Sequence, residues 1–554
     1  MVLVLFYRVT SQCEKKMTRS KHHNTGSIVF FTLIIFVLFR NSNFMVAQTI
    51  RIGVISDLHY THPSLIMEKG KALETYLNGD RKLLLESDAL LRKTVQLLLQ
   101  ENPDVVLIPG DLTKDGELVS HLGVAELLKP LREKGIKVLV IPGNHDINNP
   151  DAVAFHGDRV QKVETISADE FATIYNDYGY DEAVSRDEHS LSYTSEPVDG
   201  LRVISIDACR YYDNRFISKG DEEDFCITHG AIKPETMAWL RTEMQVAQIL
   251  GKQVLVMIHH NVVEHFAHQG LFAAPYMVDN FRDVQEKFME YGIKVLFTGH
   301  FHSSDISMVE GPDGHSLYEV ETGSIVTYPC PYRIVEMTGD SLSIETKYIE
   351  EIDYPISEGV DFQTYARQTI EHGFREMFSG FINDYHHTLA DYLPRWAKSL
   401  ITIPNAPALT DIFMSNLSDS AIEMMFAHYC GNEYLLDNAA AKKEKMLTDL
   451  DHFINALSKA SAGSLAGITE RLIHRMPAIR KAKESVSSIW DDQVGIQNGD
   501  GHKQIYGKAN DLRLTVRMRT VKSLPVTALP AVEMPLCLSA SLWNSKTSTG
   551  EARK

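Results

Sequence analysis

The chain predicts an α/β or α+β sandwich over about residues 50–350, followed by a mainly α-helical region over about 355–493. Three observations carry that division. Short β-branched apolar runs alternate with amphipathic stretches in the first part. Hairpin turns such as Gly311-Pro-Asp-Gly314 and Thr338-Gly-Asp340 follow. After residue 355 helical periods replace both patterns. A length of 554 residues agrees with more than one folded unit, since single cores stop growing near about 250–300 residues.

The strand candidates come in order as Ile50–Ser56, Asp104–Pro109, Lys137–Ile141, Leu201–Ile206, Gln253–Ile258 and Lys294–Thr298. Each is a short apolar run rich in Val and Ile, as expected of strands buried on both faces. Amphipathic helices are predicted near Leu83–Gln100, Leu118–Lys134, Pro234–Leu250 and Asp279–Tyr291. Hairpin strands follow near Ser304–Val309, Ser316–Glu321, Tyr332–Met337 and Ser341–Tyr348. The helical region reads as Phe362–Leu389, Asp419–Tyr429, Ala439–Lys459 and Leu465–Ile473. Its aromatic stripe, which includes Phe374, Phe378, Tyr392 and Trp396, is expected to be core. Residues 494–554 lack clear periodicity and read as a partly ordered tail.

Residues 1–48 differ from the rest. Arg8, Lys15, Lys16, Arg19 and Lys21 precede the apolar run Ile28–Phe39, and polar residues follow to Asn43. This is the layout of a secretory signal, with Met17 as an alternative start and cleavage expected near Ala47 or Gln48. An apolar run of twelve residues is about eight short of a membrane span, so an uncleaved tether is the alternative to export into the periplasm or medium. Of six cysteines Cys13 would leave with the signal; Cys209 and Cys226 either bridge a loop or stay as buried thiols.

A composition of 44% hydrophobic and 23% charged residues excludes wholesale disorder and a disulfide miniprotein. A formal charge of −18 gives no general attraction for nucleic acid. The chemistry gathers instead at strand ends. Asp57 and His59 follow the first strand candidate and Gly110-Asp111 the second. Gly143-Asn-His-Asp146 follows the third, His259-His260 the fifth and Gly299-His-Phe-His302 the sixth. In open α/β sheets these ends share one edge, where ligands bind. Asp, Asn and several His converging there form a metal site. One ion would take Asp57, His59 and His302, a second Asn144, His259 and His300, with Asp111 bridging. Mixed imidazole and carboxylate ligands suit Mn, Zn or Fe better than Ca or Mg. His259 is preferred to His260 because neighbours on an extended segment face opposite ways.

The order Asp-x-His, Gly-Asp, Gly-Asn-His-Asp, His, Gly-His-x-His resembles the calcineurin-like metallophosphoesterases over roughly residues 50–350. The resemblance implies a two-sheet β-sandwich flanked by helices, two divalent or trivalent metal ions on these seven ligands, and phosphomonoester or phosphodiester hydrolysis by a metal-bridging hydroxide. It also implies a catalytic role for His145, which binds phosphate beside Asn144 and protonates the leaving alkoxide. Asp146 or Asp115 orients His145, with Asp146 assigned to the catalytic pair. Here Gly110-Asp-Leu-Thr-Lys-Asp115-Gly116 departs from the Gly-Asp-x-x-Asp-Arg-Gly of the phosphoprotein phosphatases, which counts against a protein phosphatase. Cyclic-nucleotide phosphodiesterases share the Gly-Asp-Leu-Thr style, but their usual substrate is cytoplasmic. A nuclease, a phospholipid head-group diesterase and a non-enzymatic metal-containing binding module are the alternatives. His265 and His268 read as surface or pocket-rim residues and, because they follow the His259 loop, as the best candidates among these for touching substrate; Arg210, Tyr211 and Tyr212 read as binding a phosphate or leaving group or as a structural loop.

Overall fold

The computed structural model describes residues 49–216, 224–266, 268–386, 403–431 and 439–462, scattered positions between 471 and 487, and 496–497, 503–505 and 513–518. Residues 1–48, for which a signal is expected, Tyr392, Trp396, most of Leu465–Ile473 and most of the 494–554 segment lie outside the described residues. Among the described residues, no helix is long and apolar enough to cross a membrane.

Two sheets face each other. The first has six strands in the spatial order Arg513–Arg517, Ser341–Tyr348, Pro331–Thr338, Thr49–Val54, Val105–Ile108 and Lys137–Val140. The second has nine, with Asp305–Glu310, Ser316–Glu321, Val295–Thr298, Gln253–Ile258, Leu201–Ile206 and Tyr193–Val198 consecutive within it. The Val295, Gln253 and Leu201 strands run parallel, so their carboxyl ends open on one edge. A small third sheet pairs Ile66–Glu68 with Val153–His156 and Arg159–Lys162.

The period of two along each strand divides the core. Val203, Leu255, Met257 and Phe297 face the first sheet and join its Ile52, Val54, Val106 and Ile108 in one buried cluster. Their neighbours Ile204, Val256, Ile258 and Leu296 face outward, where helices Pro234–Leu250 and Phe281–Tyr291 cover them with Leu240, Met244, Val284 and Phe288. Strands buried on both faces need apolar residues at every position, which explains the unbroken runs.

The helical region is not set apart from this sandwich. Phe362, Ala366, Ile370 and Phe374 recur every four residues along helix Phe362–Tyr385 and are buried in the inter-sheet cluster, with Ile422, Phe426 and Tyr429 of helix Ser418–Cys430. Phe374 is therefore core, as its spacing predicts, and Phe378 is partly buried against it. Helix Ala406–Asn416 was not expected; its start is marked by the Asn405 side chain accepting from Ala408 N at 3.1 Å, with Pro in the first turn. The tail contributes Arg513–Arg517, paired antiparallel with Ser341–Tyr348.

Candidate metal centre and active site

Every metal-ligand candidate lies where a strand stops and the chain turns over the same edge. The turns are sharp. Asp57, His59, Asp111, His300 and His302 have φ of 52°, 36°, 50°, 72° and 69°. Left-handed backbone costs a residue with a Cβ on the order of 1–3 kcal/mol, so the surrounding strands impose it and the strain aims the side chains inward. Two glycines of the motifs are required for space. A Cβ on Gly143 would lie 2.1 Å from Asp111 Oδ1, and one on Gly299 would lie 2.2 Å from Asp57 Oδ2.

Seven side chains assemble as the sequence predicts. Asp57, His59 and His302 bring one ligand atom each within 4.8 Å of one another, as do Asp111, His259 and His300. His59 Nε2 lies 3.6 Å from Asp111 Oδ2, and His259 Nε2 lies 3.3 Å from the same oxygen. That oxygen is buried between the two groups without a hydrogen-bond donor. Asn144 Oδ1 completes the second group at 3.1 Å from His259 Nε2.

The donor set fits cations. Second partners fix the imidazoles so that the inward nitrogen is the one left to a cation: His259 Nδ1 donates to Pro109 O at 2.8 Å and His302 Nδ1 to Thr327 Oγ1 at 3.1 Å. His300 Nε2 donates to Pro275 O at 3.2 Å. His59 Nε2 and His302 Nε2 then face each other at 3.1 Å. Burial, with the nearby Lys82 charge, holds His59 well below its ordinary value, and burial with the neighbouring rings does the same for His300. Burial opposes the charge on Asp111, but the His259 and His145 rings overcome it and hold the carboxyl well below the usual range. Burial also opposes protonation of His259, yet the Asp111 charge carries that ring up to about 9. Two acceptor-rich groups sharing one bare oxygen are what two metal ions need.

His145 sits at the mouth of this cluster, its ring 4.9 Å from that of His59. Its Nδ1 donates to Asp115 Oδ1 at 2.9 Å, which leaves Nε2 for a substrate oxygen. Asp115 in turn accepts from Tyr76 Oη at 3.1 Å and pairs with the buried Lys114, whose second partner is Glu117 at 3.0 Å. The assignment of Asp146 to the catalytic pair is thus corrected. Its Oδ2 accepts from Leu112 N and Gly143 N at 3.0 and 2.8 Å, and its Oδ1 from Thr113 N and Thr113 Oγ1, both at 2.9 Å. Asp146 staples two ligand-bearing loops together, and Asp115 orients His145.

Other expectations divide. His260 points away and donates to Thr228 O at 2.8 Å, in agreement with the choice of His259. His265 does not reach substrate, because it is buried between Glu319, at 3.2 Å from Nε2, and Asp305, at 3.5 Å from Nδ1. His268 pairs with Glu484 at 3.2 Å. Arg210 is held by Asp213 and Asp279, and Tyr211 Oη donates to Asp207 at 2.9 Å, which makes that loop structural. Cys209 and Cys226 are free thiols rather than a bridge. Tyr76 and Lys114 escaped the sequence reading, since their role depends on how the 110–117 loop folds back on itself.

A β-sandwich that carries a two-lobed cluster of Asp, Asn and His on one edge defines a metallohydrolase-like architecture. Residues 50–304 match the family model for calcineurin-like phosphoesterases, and this segment of the chain belongs to that family. Two curated relatives, each called a probable cyclic nucleotide phosphodiesterase, are similar over short stretches. The one from Vesicomyosocius okutanii is 40% identical over 65 residues, 12% of this chain and 27% of the relative. The one from Ruthia magnifica is 41% identical over 59 residues, 11% and 24% of the two chains. The chain thus spans about a quarter of these relatives. Similar solved structures include a dimetal phosphatase from Danio rerio, 16% identical over 54% of this chain and 96% of that one, with a TM-score of 0.38. Another is a purple acid phosphatase from yellow lupin seeds, 11% identical over 55% and 52%, with a TM-score of 0.34.

Proposed function

We propose that the chain is an exported, binuclear metal-dependent phosphoesterase that hydrolyses phosphomonoesters or phosphodiesters. The observation that carries this reading is Asp111 Oδ2, buried without a hydrogen-bond donor between the Asp57/His59/His302 group and the Asn144/His259/His300 group. The seven ligands would hold two ions of Mn, Zn or Fe, which when bound supply an acidified water and neutralise charge on the phosphoryl oxygens. The protein's own groups do the rest. His145 Nε2 binds a phosphoryl oxygen and delivers a proton to the leaving alkoxide. Asp115 fixes the tautomer and angle of that imidazole. Asn144 holds its oxygen toward the second group while Cys226 Sγ approaches its carbonyl at 3.9 Å. The basic and apolar layout of residues 8–39 supports export.

Hydrolysis of p-nitrophenyl phosphate and bis-p-nitrophenyl phosphate by the Mn²⁺- or Zn²⁺-loaded protein tests the activity, beside Asp111→Asn and His145→Ala. Metal-dependent turnover lost in both variants is the expected result. Two bound ions without turnover on any phosphoester would leave a binding module, and no bound metal would end the reading. Export is checked by the N-terminal sequence of the protein recovered outside the cytoplasm, with a start near residue 48 expected; an intact segment in the membrane fraction would indicate a tether.

A further inference from the structure

Lys114 lies within the second motif, is not a ligand candidate, and has a side-chain exposure of 0%. Taking an ammonium out of water costs several kcal/mol, on the order found for buried ions, unless its surroundings offset the loss. Two carboxylates do so, that of Asp115 beside it and that of Glu117 at 3.0 Å. Two ring faces add to this, with the Tyr76 centroid 4.9 Å and the Phe155 centroid 6.0 Å from Nζ. The two rings pack on each other at 5.2 Å. Both come from a layer outside the sandwich, Tyr76 from helix Lys71–Asn78 and Phe155 from the small third sheet. Leu73, Val153 and Phe155 are the buried centre of that layer, with Tyr76 and Leu77 packed on it. Helix and sheet touch closely, since a Cβ on Gly70 would lie 2.5 Å from Gly157 O.

This layer meets the active site at Asp115. Tyr76 Oη donates to Asp115 Oδ2 at 3.1 Å, and Lys114 Nζ pairs with the same oxygen. Oδ1 is left for His145 Nδ1 at 2.9 Å. The terminal torsion of an aspartate is broad, so a carboxylate held at one oxygen by a single partner still swings. With Oδ2 held twice, Oδ1 presents itself in one place. The backbone agrees: Asp115 N donates to Glu117 Oε2 at 3.3 Å. Gly116, at φ 76°, packs so near the next motif that a Cβ would lie 3.0 Å from His145 O. Packing alone would be served as well by apolar side chains, because replacing a buried ion pair by apolar residues of similar volume is often neutral or stabilising. Two carboxylates, an ammonium and a hydroxyl gathered behind one imidazole serve its orientation.

We propose that Tyr76 and Lys114 are positioning residues: by holding Asp115 Oδ2 they aim His145 Nε2 at the leaving oxygen, and phosphoesters of alkyl alcohols depend on them more than activated aryl esters do. This rests on the phosphoesterase reading of the same site. In the step they serve, a water oxygen forms the new bond to phosphorus and the bond from phosphorus to the leaving oxygen breaks. The electron pair of that bond stays on the leaving oxygen, which takes the proton from His145 Nε2. An alkoxide is too basic to leave without that proton, whereas p-nitrophenolate leaves more readily unprotonated. Neither Tyr76 nor Lys114 touches substrate, so their effect passes through His145.

The test uses Tyr76→Phe, which removes one hydroxyl, and Lys114→Met combined with Glu117→Gln, which removes the buried cation together with its second anion. Each is made in the wild-type and in the His145→Ala background of the full chain loaded with Zn²⁺. The readings are kcat and KM on β-glycerophosphate and on p-nitrophenyl phosphate, metal content, and the ring-nitrogen NMR shifts of His145. On β-glycerophosphate kcat should fall by about 3–10-fold in Tyr76→Phe and by about 10–100-fold in the double variant, the worth of a neutral and of a charged hydrogen bond. The losses on p-nitrophenyl phosphate should be smaller, and KM and metal content should hold. Without His145 the same changes should matter less than about twofold, since a residue that acts through another has no effect once that one is gone. Equal losses on both esters, or losses undiminished in the His145→Ala background, would overturn the positioning role and leave the phosphoesterase intact. A zinc-loaded wild type that hydrolyses neither ester would instead end the phosphoesterase reading and the leaving-group claim with it. The His145 shifts then decide the positioning claim alone, upheld if they move in Tyr76→Phe and overturned if they do not.

Discussion

Replacing Asp115 by Asn separates the orientation of His145 from the metal site. Asn preserves size but removes the charge that His145 Nδ1 meets at 2.9 Å, and Asp115 is not among the seven ligand candidates. The amide can present either its oxygen or its nitrogen to the ring. Because Tyr76 Oη and Lys114 still donate to the other atom, the oxygen is drawn to them and the nitrogen faces His145. That forces the proton of the neutral imidazole onto Nε2 and leaves Nδ1 as an acceptor, the wrong tautomer for accepting a proton from water between turnovers. A positioned acid or base contributes about 10²–10⁴-fold, and a misdirected one retains part of that, so kcat is expected to fall by about 30–300-fold. KM and metal content should change little. Lys114 keeps Glu117 at 3.0 Å, so the stability loss should stay near 1–3 kcal/mol rather than that of a stranded charge. Steady-state kinetics on p-nitrophenyl phosphate, metal analysis and thermal unfolding read the three quantities. An unchanged kcat in a folded, metal-replete variant would refute the role of Asp115, and so would equal damage from Asp146→Asn without loss of stability.

Three further outcomes follow from the same structure. Burial raises the Glu321 carboxyl from 4.5 to about 8, against the pull of His265 and His428. Between those values the folded state holds a proton that the unfolded state has released, so stability falls as pH rises, by at most about 5 kcal/mol in all. Glu321→Gln should flatten the unfolding temperature of the chelator-treated protein between pH 5 and 8 and exceed the wild type at pH 8; parallel profiles would contradict this. Glu319 accepts from Asn261, Thr298, Val262 and Val263 at 2.9, 2.9, 2.9 and 2.6 Å and so anchors the loop after His259. Glu319→Gln should lower stability by about 1–3 kcal/mol and reduce bound metal, measured by unfolding and metal analysis. Gly373→Ala should push the Asp80–Lys82 turn off helix Phe362–Tyr385 and cost about 1–3 kcal/mol of stability, read by thermal unfolding; an unchanged unfolding temperature would contradict the close contact.

The sequence was most legible where one residue type had no alternative role. Leu201–Ile206 and Gln253–Ile258 match to the residue, because strands covered on both faces admit only apolar side chains. Tyr193–Val198 was missed, since an edge-side strand of Thr, Ser, Glu and Pro carries no such run. All seven ligand candidates converge because strand ends are set by topology, which the alternation of elements reveals. The choice between Asp115 and Asp146 was hidden, since both lie within a few residues of a motif and only the loop path decides which turns to His145. His265 was hidden for a different reason. Its partners Asp305 and Glu319 come from strands about 40 and 54 residues further on, and no local pattern announces a buried imidazole between two carboxylates.

Strand Arg513–Arg517 gives the first sheet its outer edge, with Ser341 opposite Arg517 and Glu345 opposite Arg513. It follows its partner in the chain by 165 residues, counting from Tyr348 to Arg513. At synthesis rates of about 5–20 residues per second, the Ser341–Tyr348 strand waits roughly 10–30 s with its hydrogen-bonding groups open. An open strand edge is a template for a neighbouring chain, so this interval is when crowded nascent chains would cross-pair. Glu345 and Lys347 on the waiting strand guard that interval by making a foreign apolar strand a poor match, and once Arg513–Arg517 arrives the pairing of Glu345 with Arg513 favours the native register.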